Sequence, residues 1–258
     1  MKYKIAFFDI DGTLKDYQDE CISESTKTAI TELKRKGIKM VAATGRPLSM
    51  CDEIRDLGID TFITSNGGYV KHGNNVIHKV PLDPVILQEV VGFAQTENHG
   101  LSFYTEELNM NEVRDPRILA ALKETLSLHD YPANNPSIHH QEVFLLCLFT
   151  DDEMAKKYIH RFPHLSFKRW HPYILNVLHR EVSKSAAIKS VLQYFSIDQS
   201  EAIAFGDGDN DIDMLELVGL GISMGNGSER LKAAADFITK KASDDGIEYA
   251  LRKFQIIQ

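Results

Sequence analysis

The 258 residues include 43% hydrophobic side chains, enough apolar material for a substantial core in one large domain or two smaller ones, so disorder is not the first reading. Against 29 basic side chains stand 37 acidic ones, for a formal net charge of −8, and without a basic stripe this composition disfavours a nucleic-acid partner. No run approaches the roughly 18–20 apolar residues of a membrane span, the first residues lack a secretory cleavage site, and Cys21, Cys51 and Cys147 form no disulfide or metal-ligand pattern; a reduced, cytoplasmic protein with no membrane attachment is expected.

In chain order, Lys4 to Phe8 predicts a fully buried strand, followed by a polar turn and a helix from about Ser23, where Ser23 or Ser25 can cap and Ile30 and Leu33 give helical spacing. Gly37 ends that helix. Ile38 to Ala43 predicts a second strand, Pro47 to Leu57 a second helix and Thr61 to Thr64 a third strand. Continuous apolar strands alternating with helices are the pattern of a parallel sheet covered on both faces.

The middle differs in texture. Six prolines from Pro81 to Pro163 and a polar stretch around Asp130 to Gln141 interrupt predicted strands at Leu101 to Thr105, Val143 to Phe149, Ser166 to Trp170 and Ile174 to Leu178. Helical runs fall between them at Pro84 to Glu97, Pro116 to Leu126 and Asp152 to Arg161. We read residues 83–180 as an inserted α+β cap suited to substrate selection, with residues 1–82 and 181–258 forming one catalytic domain.

The alternation then resumes. Ser185 to Phe195 predicts a helix, Ala202 to Phe205 a strand, Asp211 to Leu217 a short helix and Gly221 to Met224 a strand. Glu229 to Ala234 is helical, Asp236 to Ile238 an edge strand and Asp244 to Phe254 a closing helix. The fold class expected is α/β, with a doubly wound, mainly parallel, Rossmann-like core.

Chemistry concentrates at the strand ends. Asp9 closes the first buried strand, with Asp11, Gly12 and Thr13 behind it, at the carboxyl edge where open sheets place ligands. Gly12 permits a tight turn, and the Thr13 hydroxyl and nearby N–H groups can face an anion. An Asp-Gly turn is by itself common and structural. Farther along, Asp207, Asp209, Asn210 and Asp211 crowd four oxygen-bearing side chains into five positions after a buried strand. Such a cluster needs a hard cation or a network to compensate it. The spacing does not complete a calcium-binding EF-hand loop, so magnesium fits better, while one of these residues could instead cap the following helix. Thr44, Gly45 and Arg46 follow the second strand, and Lys184 opens the helix after the insertion, where an ammonium can neutralise two oxyanions.

These residues resemble the haloacid dehalogenase-like superfamily and, within it, the Cof-type phosphatases with a large type C2 cap. Asp9-Ile10-Asp11-Gly12-Thr13 looks like the first motif, Thr44-Gly45-Arg46 the second, Lys184 the third, and Gly206-Asp207 to Asn210-Asp211 the fourth. Thr64-Ser65-Asn66-Gly67-Gly68 and Met224-Gly225-Asn226 are similar to stretches of the same subgroup. Two positions depart from the pattern: Ser185 where Gly usually follows the lysine, and Gly227 where Ala is common.

The resemblance implies that Asp9 attacks phosphorus, that Asp11 acts as acid and then base, and that Thr44 and Lys184 serve the phosphoryl group. It implies Mg2+ held by Asp9, the Asp11 carbonyl and Asp207, with Asn210 or Asp211 supporting. Gly12, Thr13, Gly45, Arg46, Asn66 and Asn210 become phosphate or substrate contacts. The expected partner is a small phosphorylated metabolite, and the expected assembly a monomer or small homo-oligomer. A phosphomutase of the same fold and a non-catalytic metabolite- or metal-binding regulator are the competing expectations.

Overall fold

The computed structural model describes residues 2–17 and 21–258. Its first strand, β1 (Ile5–Phe8), is buried at every position, as an apolar run without alternation requires. Helix α1 (Glu24–Arg35) starts at the Ser23 cap, whose hydroxyl accepts the Thr26 N–H, and buries Ala29, Ile30 and Leu33. Strand β2 (Lys39–Ala43) follows.

The single helix expected over residues 47–57 is instead a 3₁₀ turn at Leu48–Met50 and a one-turn α2 (Asp52–Arg55). Cys51 leaves the helical region between them, at φ −116° and ψ 12°, and the Ser49 N–H turns to the Glu106 carbonyl at 2.8 Å. After β3 (Thr61–Thr64) come two strands that the sequence pattern does not reveal, β4 (Tyr69–His72), antiparallel to β3, and β5 (Asn75–Lys79).

The central stretch forms α3 (Pro84–Thr96), β6 (Gly100–Tyr104), β7 (Leu108–Met110), α4 (Pro116–Leu126), β8 (Ala133–Asn134), β9 (Leu145–Phe149), α5 (Asp152–Arg161), β10 (Leu165–His171) and β11 (Ile174–His179). The chain closes with α6 (Lys184–Phe195), β12 (Ala202–Gly206), α7 (Ile212–Leu217), β13 (Leu220–Ser223), α8 (Glu229–Ala234), β14 (Phe237–Ile238) and α9 (Gly246–Lys253).

Two compact units result, one of residues 1–45, 51–78 and 183–258, the other of residues 46–50 and 79–182. The first holds an eight-stranded sheet in the order β14-β13-β12-β1-β2-β3-β4-β5. It is parallel from β14 to β3 and turns antiparallel at β4. This is the expected α/β class, a doubly wound and mainly parallel core with an inserted α+β unit. Phe7, Val41, Ile63 and Ala204 pack against Ile188, Val191 and Leu192 of α6 and Met214 of α7. Burying each large apolar side chain contributes roughly 1.5–3 kcal/mol, so the central strands are held firmly.

The register decides where the chemistry lies. Phe8 pairs with both Phe205 and Ala42, so Asp9, Thr44 and Asp207 leave their strands along one sheet edge.

In the second unit, a six-stranded sheet runs β10-β11-β9-β6-β7-β8. One face packs on Leu87 and Val90 of α3 and Tyr158 of α5, the other on Ile118 and Leu122 of α4. Among the described residues no helix is long and apolar enough to cross a membrane.

Candidate active site

Asp9 begins where β1 stops pairing, and its N–H still donates to the Phe205 carbonyl at 2.9 Å, so the residue inherits the strand's rigidity. Its Oδ1 accepts the Lys184 ammonium at 2.5 Å. The same Nζ donates to Asp211 Oδ1 at 2.5 Å and to the Ala43 carbonyl at 2.7 Å. Three partners match the three donors of an ammonium, which is how a lysine only 1% exposed is accommodated. Lys184 reaches this point because Ser183 caps α6, accepting the Ala186 N–H at 3.1 Å. Ser185 does not crowd the turn; its N–H donates to Asp213 Oδ2 at 3.0 Å.

The acidic loop after β12 is organised around Asp211. Its Oδ2 accepts the N–H groups of Asp207 and Gly208, both at 3.0 Å, while Oδ1 takes Lys184. Gly206 makes this possible, because a Cβ there would lie 2.6 Å from the Asp211 carboxylate. Asp207 is oriented separately, Oδ1 accepting from the Thr13 hydroxyl at 3.1 Å and Oδ2 from the Tyr17 hydroxyl at 3.0 Å. Ligand oxygens of Asp9, Asp207 and Asp211 all lie within 4.8 Å of one another.

Charge crowding has the effect expected of it. The Asp9 carboxyl is held well above the usual carboxylate range by burial and by Asp211, Asp207 and Asp11, with Lys184 opposing. Burial and Asp211 push Asp207 up to about 7, against the bonds from Tyr17 and Thr13. Burial alone would lower Lys184, but Asp211 and Asp9 outweigh it and leave the ammonium above the ordinary lysine range. Three buried carboxylates facing one ammonium are over-supplied with negative charge, and all-oxygen donors suit a hard divalent cation. The residues present therefore fit a divalent metal.

The other residues singled out in the sequence fall around this cluster in different ways. Thr44 is buried, its N–H on the Ile63 carbonyl at 2.8 Å and its own carbonyl accepting from Asn66 at 3.0 Å. Asn66 Oδ1 accepts from Asn210 Nδ2 at 3.1 Å and lies against Gly45, joining the loops after β2, β3 and β12. Asn210 is exposed, and its amide nitrogen is engaged with Asn66. Asp11 is half-buried and bridges to Lys15 through the backbone. Arg46 belongs to the second unit, with its guanidinium on the Met50 carbonyl at 3.3 Å. Asp209 faces outward to Ser228 and Arg230. Tyr17 is the contact that sequence reasoning missed.

Fold and cluster define an α/β enzyme core that works at the carboxyl edge of a parallel sheet. The family model of haloacid dehalogenase-like hydrolases matches residues 6–251. YkrA of Bacillus subtilis strain 168 is 37% identical over 261 aligned residues, covering 100% of each chain. A crystal structure from Geobacillus kaustophilus HTA426 is 35% identical with a TM-score of 0.92, covering 99% of this chain and 100% of that one. The sugar phosphatase BT4131, of subclass IIB of the superfamily, is 31% identical with a TM-score of 0.85, covering 98% and 100%. The chain belongs to the haloacid dehalogenase-like hydrolases.

Proposed function

We propose that this protein is a magnesium-dependent phosphatase of the Cof type, with residues 83–180 as a type C2 cap, hydrolysing small phosphorylated metabolites through an aspartyl-phosphate at Asp9. The observation that carries the reading is the Asp9 carboxylate itself, fixed through Oδ1 by buried Lys184 and surrounded by Asp207 and Asp211. Lys184 occupies Oδ1 of Asp9, and Oδ2 is the oxygen proposed for attack.

Asp9, Asp207 and the Asp11 carbonyl would hold the magnesium, with Asp211 and Asn210 in support; when bound, the ion supplies positive charge that lets a phosphate dianion approach carboxylates. Lys184 and the Thr44 hydroxyl supply further compensation, the Thr13 hydroxyl being given to Asp207 instead, and the loops of Gly12, Gly45, Asn66 and Asn210 shape the phosphate site. Arg46, from the cap unit, is proposed as a substrate contact. Asp9 Oδ2 forms a bond to phosphorus as the bond to the leaving oxygen breaks, and Asp11 gives that oxygen its proton. Asp11 then takes a proton from water as it attacks phosphorus, releasing phosphate and restoring Asp9.

The likeness to a sugar phosphatase supports phosphorylated sugars as the first substrates to try. A panel of phosphorylated metabolites should release inorganic phosphate with magnesium and stop with EDTA. Wild type should trap a hydroxylamine-labile phosphoprotein that Asp9→Asn cannot form; full turnover by Asp9→Asn would refute the covalent scheme. Isomerised product without phosphate release would instead indicate a mutase.

A further inference from the structure

The loop after β1 doubles back on itself. Gly12 N–H donates to the Lys15 carbonyl at 2.8 Å and Lys15 N–H to the Ile10 carbonyl at 2.9 Å, which returns the chain over its own start. Asn226 Nδ2 pins the Gly12 carbonyl at 2.8 Å, and Lys15 reaches Glu53 at 2.7 Å. Tyr17 is thereby laid against Gly12, where a Cβ would lie 2.3 Å from the ring and 2.2 Å from Asp207 Oδ2.

The ring gains little burial from this arrangement, since Tyr17 remains 63% exposed, yet its hydroxyl reaches a carboxylate that is only 6% exposed. Water could satisfy a surface phenol equally well, so packing does not account for the contact. An ionised carboxylate offers about four lone-pair sites. Thr13 takes one on Oδ1 and Tyr17 one on Oδ2, which fixes the plane and rotation of the group while leaving a site on each oxygen.

We propose that Tyr17 is a positioning residue for the divalent cation, acting with Thr13 as a two-sided clamp on Asp207; the inference rests on the magnesium reading above. Outer partners of metal-ligating carboxylates are commonly worth about 10–100-fold in affinity. Tyr17→Phe keeps the ring and removes only the donor. Direct binding of Mn2+, followed by electron paramagnetic resonance, and of Mg2+, followed by calorimetry, should be measured for wild type, Tyr17→Phe and Asp207→Asn.

Tyr17→Phe should weaken both metals by about tenfold, while its metal-free melting temperature falls by no more than the loss of one partly exposed hydrogen bond allows. Unchanged or tighter binding in Tyr17→Phe, with wild type binding normally, would overturn the clamp alone. Wild type binding no better than Asp207→Asn would overturn the cation reading and the clamp with it. A fall in metal-free melting temperature with unchanged metal affinity would assign the contact to folding and also overturn the clamp.

Discussion

Lys184→Met is the perturbation whose outcome the geometry determines most sharply. Methionine retains most of the buried stem, so little cavity forms, but it removes a charge bonded at 2.5 Å to Asp9 and 2.5 Å to Asp211. Two unit charges at 4 Å attract by about 4 kcal/mol at an effective dielectric of 20, and desolvation offsets part of this. Breaking a buried pair by deleting one partner costs about 3–5 kcal/mol. For a chain of this size that is a fall in melting temperature of about 6–20 °C.

The pH dependence is the stronger test. Asp9 and Asp207 have folded-state values above their unfolded ones, Asp207 up to about 7, so the folded protein holds protons that the unfolded chain has released. Stability without metal therefore declines as pH rises from about 4 to about 7. Lys184 adds no slope here, since its raised value keeps its stabilisation constant throughout this range and lets it be lost only above the ordinary lysine range. Removing Lys184 takes away the charge that holds Asp9 down, so the deficit should be full at pH 8 and much smaller at pH 5, where protons replace it. Melting followed by circular dichroism in EDTA at both pH values would measure this. An equal loss at both, or none at either, would refute the electrostatic account.

Two further outcomes follow from the same cluster. Magnesium should raise stability with the logarithm of its concentration above Kd, by about 2.7 kcal/mol at a hundredfold excess over its Kd, and by less at pH 5.5 than at pH 8, because protons compete for the carboxylates; calorimetric melting with magnesium or EDTA checks this, and a pH-independent shift would contradict it. Gly12→Ala places a Cβ 2.2 Å from Asp207 Oδ2 on a backbone at φ 81°, so it should lower stability by about 1–2 kcal/mol from the backbone alone and weaken magnesium binding as Asp207 is displaced, both readable by melting and metal titration.

Much of this site was legible because its residues occupy positions the chain pattern marks. Asp9 and Asp207 follow continuous apolar strands, and Lys184 opens a helix with a serine cap before it, so burial and turn chemistry locate them without tertiary information. Tyr17 was not legible, since an aromatic in a polar loop has no period and its partner lies 190 positions away. The hairpin of β4 and β5 was hidden for a related reason: its outer strand is half-exposed and polar, with no apolar alternation to read. The break at Cys51 escaped because nothing in the local residue pattern marks it, while the turn before it is tied by Ser49 to Glu106, far along the chain.

The electrostatics of the cluster oppose the stability of the fold, and the architecture explains how the conflict is tolerated. Carboxylates within 4.8 Å of one another raise the free energy of the metal-free state, so they can persist only where the backbone cannot relax them apart. That rigidity comes from the apolar pairs immediately before them, Phe8 and Phe205, whose rings stack at 5.1 Å as the strands end. Asp211 is held by two backbone N–H groups and by the close approach that Gly206 allows, so it cannot swing out to solvent when the charge rises. The apolar residues of β1 and β12 therefore belong to the chemistry as much as the carboxylates do, because they prevent repulsion from opening the site before a cation and a phosphate arrive.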